Sequence, residues 1–291
     1  MFDALQRRQS LLRADLAAGG FDAMVISGAA NIRYLSGFTG SAAQLMIAAD
    51  HAVLVTDFRY AAQSRVEVEP GIVVRIERGN HLGALRQSLQ AIGARRIAVD
   101  RARLTLAEWH ELRQLGSAEL EPVTGVVERL RASKDPGEVA SIRAAAALAT
   151  EALASVLDFI APGRTELEIA AELEAALRRR GSEWHPFQSI VASGPRSALP
   201  HARSTSRTVE RGDWLVVDFG AQVDGYCSDI TRTFVVGARA DERQWGVYRV
   251  VQEAQAVARA GIRAGMTGRQ ADALARDLLD QAGFGGAFGH S

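Results

Sequence analysis

The chain has 291 residues, 47% of them hydrophobic, and a formal net charge of zero. That is enough for two domains with real cores, and it argues against a nucleic-acid binder that works by phosphate attraction. No apolar run of about eighteen residues occurs, so no membrane span is expected; a single cysteine, Cys227, excludes an internal disulfide framework and fits a reducing, cytoplasmic setting.

The opening, MFDALQRRQSLLRADL, reads as an amphipathic helix containing acids rather than a signal peptide, with residues 4–18 helical. AMVIS (23–27), QLMIA (44–48), AVLVTD (52–57), IVVRIE (72–77) and RIAVD (96–100) are rich in Val and Ile and read as strands. Helices are expected near 81–92 and 105–115. This alternation predicts an α/β domain over residues 1–130, ending near EPVTGVVERL. A second domain, 131–291, opens at RASKDPGEVASIRAAAALATEAL, where Asp135 can cap and Pro136 suits the first turn of a long Ala-rich helix.

The second domain contains a faint repeat. Shifted by 102 positions, 151–181 lies over 253–283, with identities that include Gly163/Gly265, Thr165/Thr267 and Gly181/Gly283. Each copy reads helix, glycine turn, threonine cap, second helix, glycine stop. Thr165 with Glu168 makes a capping box, and Gln270 takes the matching place after Thr267. Strands follow the first copy as far as about Gly237. If the halves are equivalent, about fifty further residues or more, carrying the second set of strands, are expected beyond Ser291.

Asp224-Gly225 separates WLVVDFGAQ from YCSDITRTFVV, the signal for a two-residue hairpin of type I′. That turn pairs Val223 with Tyr226, Gln222 with Cys227, Gly220 with Asp229, Phe219 with Ile230 and Asp218 with Thr231. Asp218, Gly220, Asp229 and Thr231 then share one face, and Phe219 and Ile230 pack on the other. The two aspartates stand on a diagonal, with backbones roughly 7–8 Å apart in such pairs, and Gly220 is expected to leave the space between them empty. Converging carboxylates repel unless a proton or a cation lies between them, and hard oxygen ligands suit divalent ions. The competing reading is a solvated polar face on an ordinary hairpin. His201, in the Gly/Ser/Pro-rich stretch before the strand, weighs toward a site, since it could donate a hydrogen bond or proton to a substrate. Cys227 is assigned to packing and His185 to loop or core.

Together these segments resemble the creatinase/prolidase/methionine-aminopeptidase group of "pita-bread" metallopeptidases, most closely its Xaa-Pro aminopeptidase branch. NIRYLSGFTGSAA and VLVTDFRYAAQS resemble the N-terminal domain, LRASKDPGEVASIRAAA the linker and first helix, and IVASGPRSALPHA, VVDFGAQVDGYCSDITRTFVVG and FGHS the active-site strings. The resemblance implies a creatinase-type N-terminal domain with a ribonuclease H-like mixed sheet, followed by an α+β pita-bread domain that is incomplete at its C-terminus. It implies that Asp218 chelates one metal ion, Asp229 bridges two, and Thr231 hydrogen-bonds a ligand carboxylate. His201 is implied to contact the substrate near the scissile bond, and His290 to help bind substrate and support the transition state from behind the residues that touch the metal. The implied cofactors are two divalent ions (Mn, Co or Zn), the substrate a peptide with proline in second position, and the assembly a homodimer. The family's remaining ligands, a histidine and two glutamates, would lie beyond Ser291, so this chain alone is expected to bind metal weakly and turn over little. Other readings are an Xaa-Pro dipeptidase, a creatinase-like C–N hydrolase, and a metal-free module that binds peptides or proteins.

Overall fold

The structure, a computed structural model, describes residues 2–79, 81–116 and 118–289. It divides into two compact units, residues 1–135 and 136–291. The first unit runs α1 (Phe2–Ala18), β1 (Ala23–Ile26), α2 (Ala29–Ser36), β2 (Ala43–Ala48), β3 (Ala52–Thr56), α3 (Ala61–Glu67), β4 (Val73–Ile76), α4 (His81–Ala91), β5 (Arg96–Asp100), α5 (Leu106–Leu112), β6 (Glu119–Val123) and α6 (Val126–Ala132). The strands form one mixed sheet in the order β4-β3-β2-β1-β5-β6. β1 is antiparallel to β2 and parallel to β5.

Period-two alternation explains why all of β1 is buried. Met24 and Ile26 enter a core with Leu12, Leu16 and Leu35, while Ala23 and Val25 enter a second core with Leu85, Leu89 and Val99. A sheet covered on both faces reads as continuous apolar runs, which is why the five expected strands were visible in the sequence. β6 was less so, because ELEPV contains Pro122; a proline belongs on an edge strand, and β6 is one.

The second unit runs α7 (Pro136–Val156), α8 (Glu166–Arg179), β7 (Ile190–Ser193), β8 (Trp214–Phe219), β9 (Gln222–Val223), β10 (Tyr226–Cys227), β11 (Ile230–Val235), α9 (Glu242–Gly261) and α10 (Gly268–Gln281). Its main sheet has the order β11-β8-β7, all antiparallel. Residues alternate strictly along β8: Leu215, Val217 and Phe219 are buried in a core with Leu173, Leu177 and Leu153, while Trp214, Val216 and Asp218 lie on the more open face. Although its apolar runs are short, Pro136–Phe159 is long and apolar enough by length and composition to cross a membrane. Alanine supplies that hydropathy, and α7 buries Ala149, Ala152, Leu153 and Val156 in the same core, as the core helix of this unit.

The repeat is structural. Thr165 caps α8 and Thr267 caps α10, each in a reciprocal capping box with Glu168 or Gln270. The paired glycines share left-handed backbone: φ is 93° at Gly163 and 88° at Gly265, and 96° at Gly181 and 82° at Gly283. Residues with a Cβ avoid this region, so matching glycines at four positions mark a common backbone rather than a chance alignment of alanines.

Candidate active site

The site grows from the turn. Asp224 has φ 51° and Gly225 φ 77°, the left-handed pair a type I′ hairpin requires. Asp224 is the one non-glycine residue with positive φ among the described residues. The register follows as expected, with Tyr226 opposite Val223, Cys227 opposite Gln222, Ile230 opposite Phe219 and Thr231 opposite Asp218. α7 grips one side of the ribbon. The Tyr226 hydroxyl donates to Glu138 Oε1 (2.8 Å) and Ser228 Oγ to the Ala145 carbonyl (3.1 Å). Phe219 is fully buried and Ile230 packs against the same core.

Asp218, Asp229, Thr231 and His201 come together on the other side. Thr231 Oγ1 donates to Asp218 Oδ1 at 2.9 Å. Burial pushes the Asp218 carboxyl above its ordinary value, and the charge and hydrogen-bonding reach of Asp229 push the same way; the Thr231 hydrogen bond and the nearby His201 imidazole oppose them. Asp218 is half-buried, whereas Asp229, Thr231 and His201 are exposed. His201 sits in the irregular segment between the 3-10 turn Gly194–Ala198 and β8. His290 lies outside the described residues.

Two expectations need correction. Gly220 does not leave a gap between the carboxylates. A Cβ there would overlap the Ser228 carbonyl oxygen and lie 2.6 Å from Pro186 Cγ, so the glycine admits a close approach of two chain segments. Cys227 is exposed rather than packed. Tyr226 and Ser228 take the side held by α7, which leaves Cys227 and Asp229 outward. His185 is in the loop after α8, its ring 5.6 Å from Trp184, and its Nδ1 is buried without a hydrogen-bond partner among the described residues. An open cleft of about 760 Å³ lined by Asp57, Phe58, Arg59, Arg78 and His81 belongs to the first unit, not to the carboxylate pair.

The Asp229 carboxylate disfavours charge on Asp218, and the hard oxygens of the two suit a divalent cation. No third His, Cys, Asp or Glu joins them in a group able to hold a metal ion among the described residues. What these residues offer a metal is therefore a two-carboxylate anchor, steadied by Thr231. Sequence reasoning missed Glu166. This buried carboxylate at the start of α8 gathers hydrogen bonds from both ends of the segment that carries His201. Its only signal was an acid directly after the Thr165 cap.

Comparison with known proteins gives these features a family. Residues 140–291 match the family model described as metallopeptidase family M24, and residues 8–133 match the creatinase/prolidase N-terminal domain. The chain is 40% identical over 273 residues to the uncharacterized peptidase YqhT of Bacillus subtilis (strain 168), covering 94% of this chain and 77% of that protein. The solved Xaa-Pro dipeptidase from Bacillus anthracis has a TM-score of 0.93 and 36% identity, over 99% of this chain and 80% of that one. The X-Pro aminopeptidase from Thermotoga maritima MSB8 has a TM-score of 0.86 and 35% identity, over 92% of this chain and 77% of that one. The two folds are the creatinase-type α/β domain and the pita-bread domain. The chain belongs to metallopeptidase family M24, a family of hydrolases, and carries a creatinase/prolidase N-terminal domain ahead of its peptidase domain.

Proposed function

We propose that this chain serves the metal-dependent hydrolysis of the peptide bond between an N-terminal residue and a following proline. The observation that carries the reading is the convergence of Asp218 and Asp229 on the open face of the ribbon, beside His201. In this reading Asp218 and Asp229 would be the residues that hold a pair of divalent cations (Mn²⁺, Co²⁺ or Zn²⁺). Such ions supply a bound water whose pKa falls toward about 7 and a Lewis acid for the peptide carbonyl. The chain's own residues do the rest. Thr231 occupies one lone pair of Asp218 Oδ1 and so fixes which way the carboxylate faces. His201, exposed at the rim, donates a hydrogen bond to the substrate and steadies charge that develops on the carbonyl oxygen. Proline in second position suits a site that provides no acceptor for a peptide N–H, because that nitrogen carries no hydrogen.

Dipeptidase action is a second reading, and relatives bearing both names support it equally: the Bacillus anthracis protein is called a dipeptidase and the Thermotoga maritima protein an aminopeptidase. The homodimer and the cytoplasmic setting rest on the resemblance and on cysteine usage. The test is cleavage of Xaa-Pro dipeptides and Xaa-Pro-Yaa tripeptides, followed by mass spectrometry with each metal in turn. Cleavage confined to Xaa-Pro bonds, and lowered about a hundredfold or more by Asp218→Asn or Asp229→Asn, is expected. A protein silent toward every Xaa-Pro substrate with every divalent metal would sink the reading.

A further inference from the structure

His201 lies on an irregular segment, and an exposed side chain on such a segment is a poor catalytic tool unless something fixes it. The fixing element is at the start of α8. Glu166 is the first residue after the Thr165 cap, and it is fully buried. Its Oε1 accepts from Ser193 N (2.8 Å) and Ser193 Oγ (2.9 Å), and its Oε2 accepts from Thr205 N (2.9 Å) and Thr205 Oγ1 (2.8 Å). Arg196 Nε lies 3.2 Å from both oxygens. Ser193 is the last residue of β7 and Thr205 lies twelve positions on, with His201 between them. The chain doubles back along β7, where Val191 N donates to Ser204 Oγ at 3.0 Å. That return runs beside the strand whose Ile190 pairs with Asp218. Burial alone would push the Glu166 carboxyl up, but the hydrogen bonds from Ser193 and Thr205 outweigh it and hold the group below the ordinary glutamate value.

We propose that Glu166 is a positioning residue for His201: one buried carboxylate ties together both ends of the 194–204 segment and so holds the imidazole beside Asp218. This rests on the role given to His201 above. A carboxylate suits the task because it only accepts, and all five groups facing it are donors. Glutamine would turn an N–H₂ toward the donors of Ser193 or of Thr205, and toward Arg196 Nε, and leave buried donors unsatisfied.

The test is hydrogen exchange read by mass spectrometry, together with NMR relaxation of the His201 ring, on the whole chain. In Glu166→Gln, amide exchange across 194–205 is expected to rise about tenfold or more, and the His201 ring to gain fast motion, while β8 and α7 stay unchanged. Unchanged exchange in 194–205, or an equal rise throughout the second unit, overturns the proposal. If Glu166→Gln fails to fold, Thr205→Val decides. It removes one hydroxyl donor, so a smaller rise confined to the same segment supports the clamp, and none overturns it. Broadening of Asp218 and Asp229 carboxylate signals by Mn²⁺ in wild-type samples tests the metal reading separately, so the two can fail independently.

Discussion

Asp218 is placed where burial and the charge of Asp229 both oppose its ionisation. A group so placed serves function at the expense of stability, so removing its charge should not cost stability. Asp218→Asn is expected to leave Tm unchanged or raise it in the absence of metal. A fall of several degrees in calorimetry would mean that the carboxylate is structural. Glu166 behaves in the opposite sense. Its carboxyl is held below the ordinary value, so its contribution to stability is fully present above the unfolded glutamate value and is lost as pH falls through the lower, folded one. Protection of 194–205, taken relative to the intrinsic exchange rate at each pH, should therefore survive mild acidification and fall only below the ordinary glutamate range. Loss of that protection while the pH is still above the ordinary glutamate value would contradict this.

The ribbon is the element on which the site depends, and its register was legible because Asp-Gly strongly favours the type I′ turn, whose geometry sets every pair that follows. What the local sequence could not show was contact made at a distance. Gly220 is required by the Ser228 carbonyl and by Pro186, thirty-four positions away, and Glu166 finds its partners twenty-seven and thirty-nine positions on. The exposure of Cys227 likewise depends on α7 taking the opposite side of the ribbon. Gly220→Ala is expected to destabilise the second unit by about 2 kcal/mol or more, since the neighbour on one side is backbone and cannot turn aside. Denaturant unfolding checks it, and a loss well under 1 kcal/mol would show that the approach is soft. The two copies of the helical repeat supply a matched control: Thr165→Ala and Thr267→Ala each remove the same cap and should each cost about 1 kcal/mol.

Across the whole molecule the two units are built to different depths. Every residue of β1 is buried, whereas α9 and α10 bury only Ala254 and Leu279 and leave Trp245, Tyr248 and Val251 substantially exposed. Few buried contacts mean cheap local opening, so amides of α9 and α10 should exchange well before those of the first unit's sheet. Uniformly slow exchange from residue 140 onward would refute that. The proposed function turns on the acidic pair, and the most direct test is a Mn²⁺ titration into the millimolar range followed by electron paramagnetic resonance, on wild type and on the Asp218→Asn/Asp229→Asn double variant. Wild type is expected to take up Mn²⁺ weakly, through its two carboxylates, and the folded double variant to take up none. Equal uptake by both proteins, or none by wild type, would contradict it.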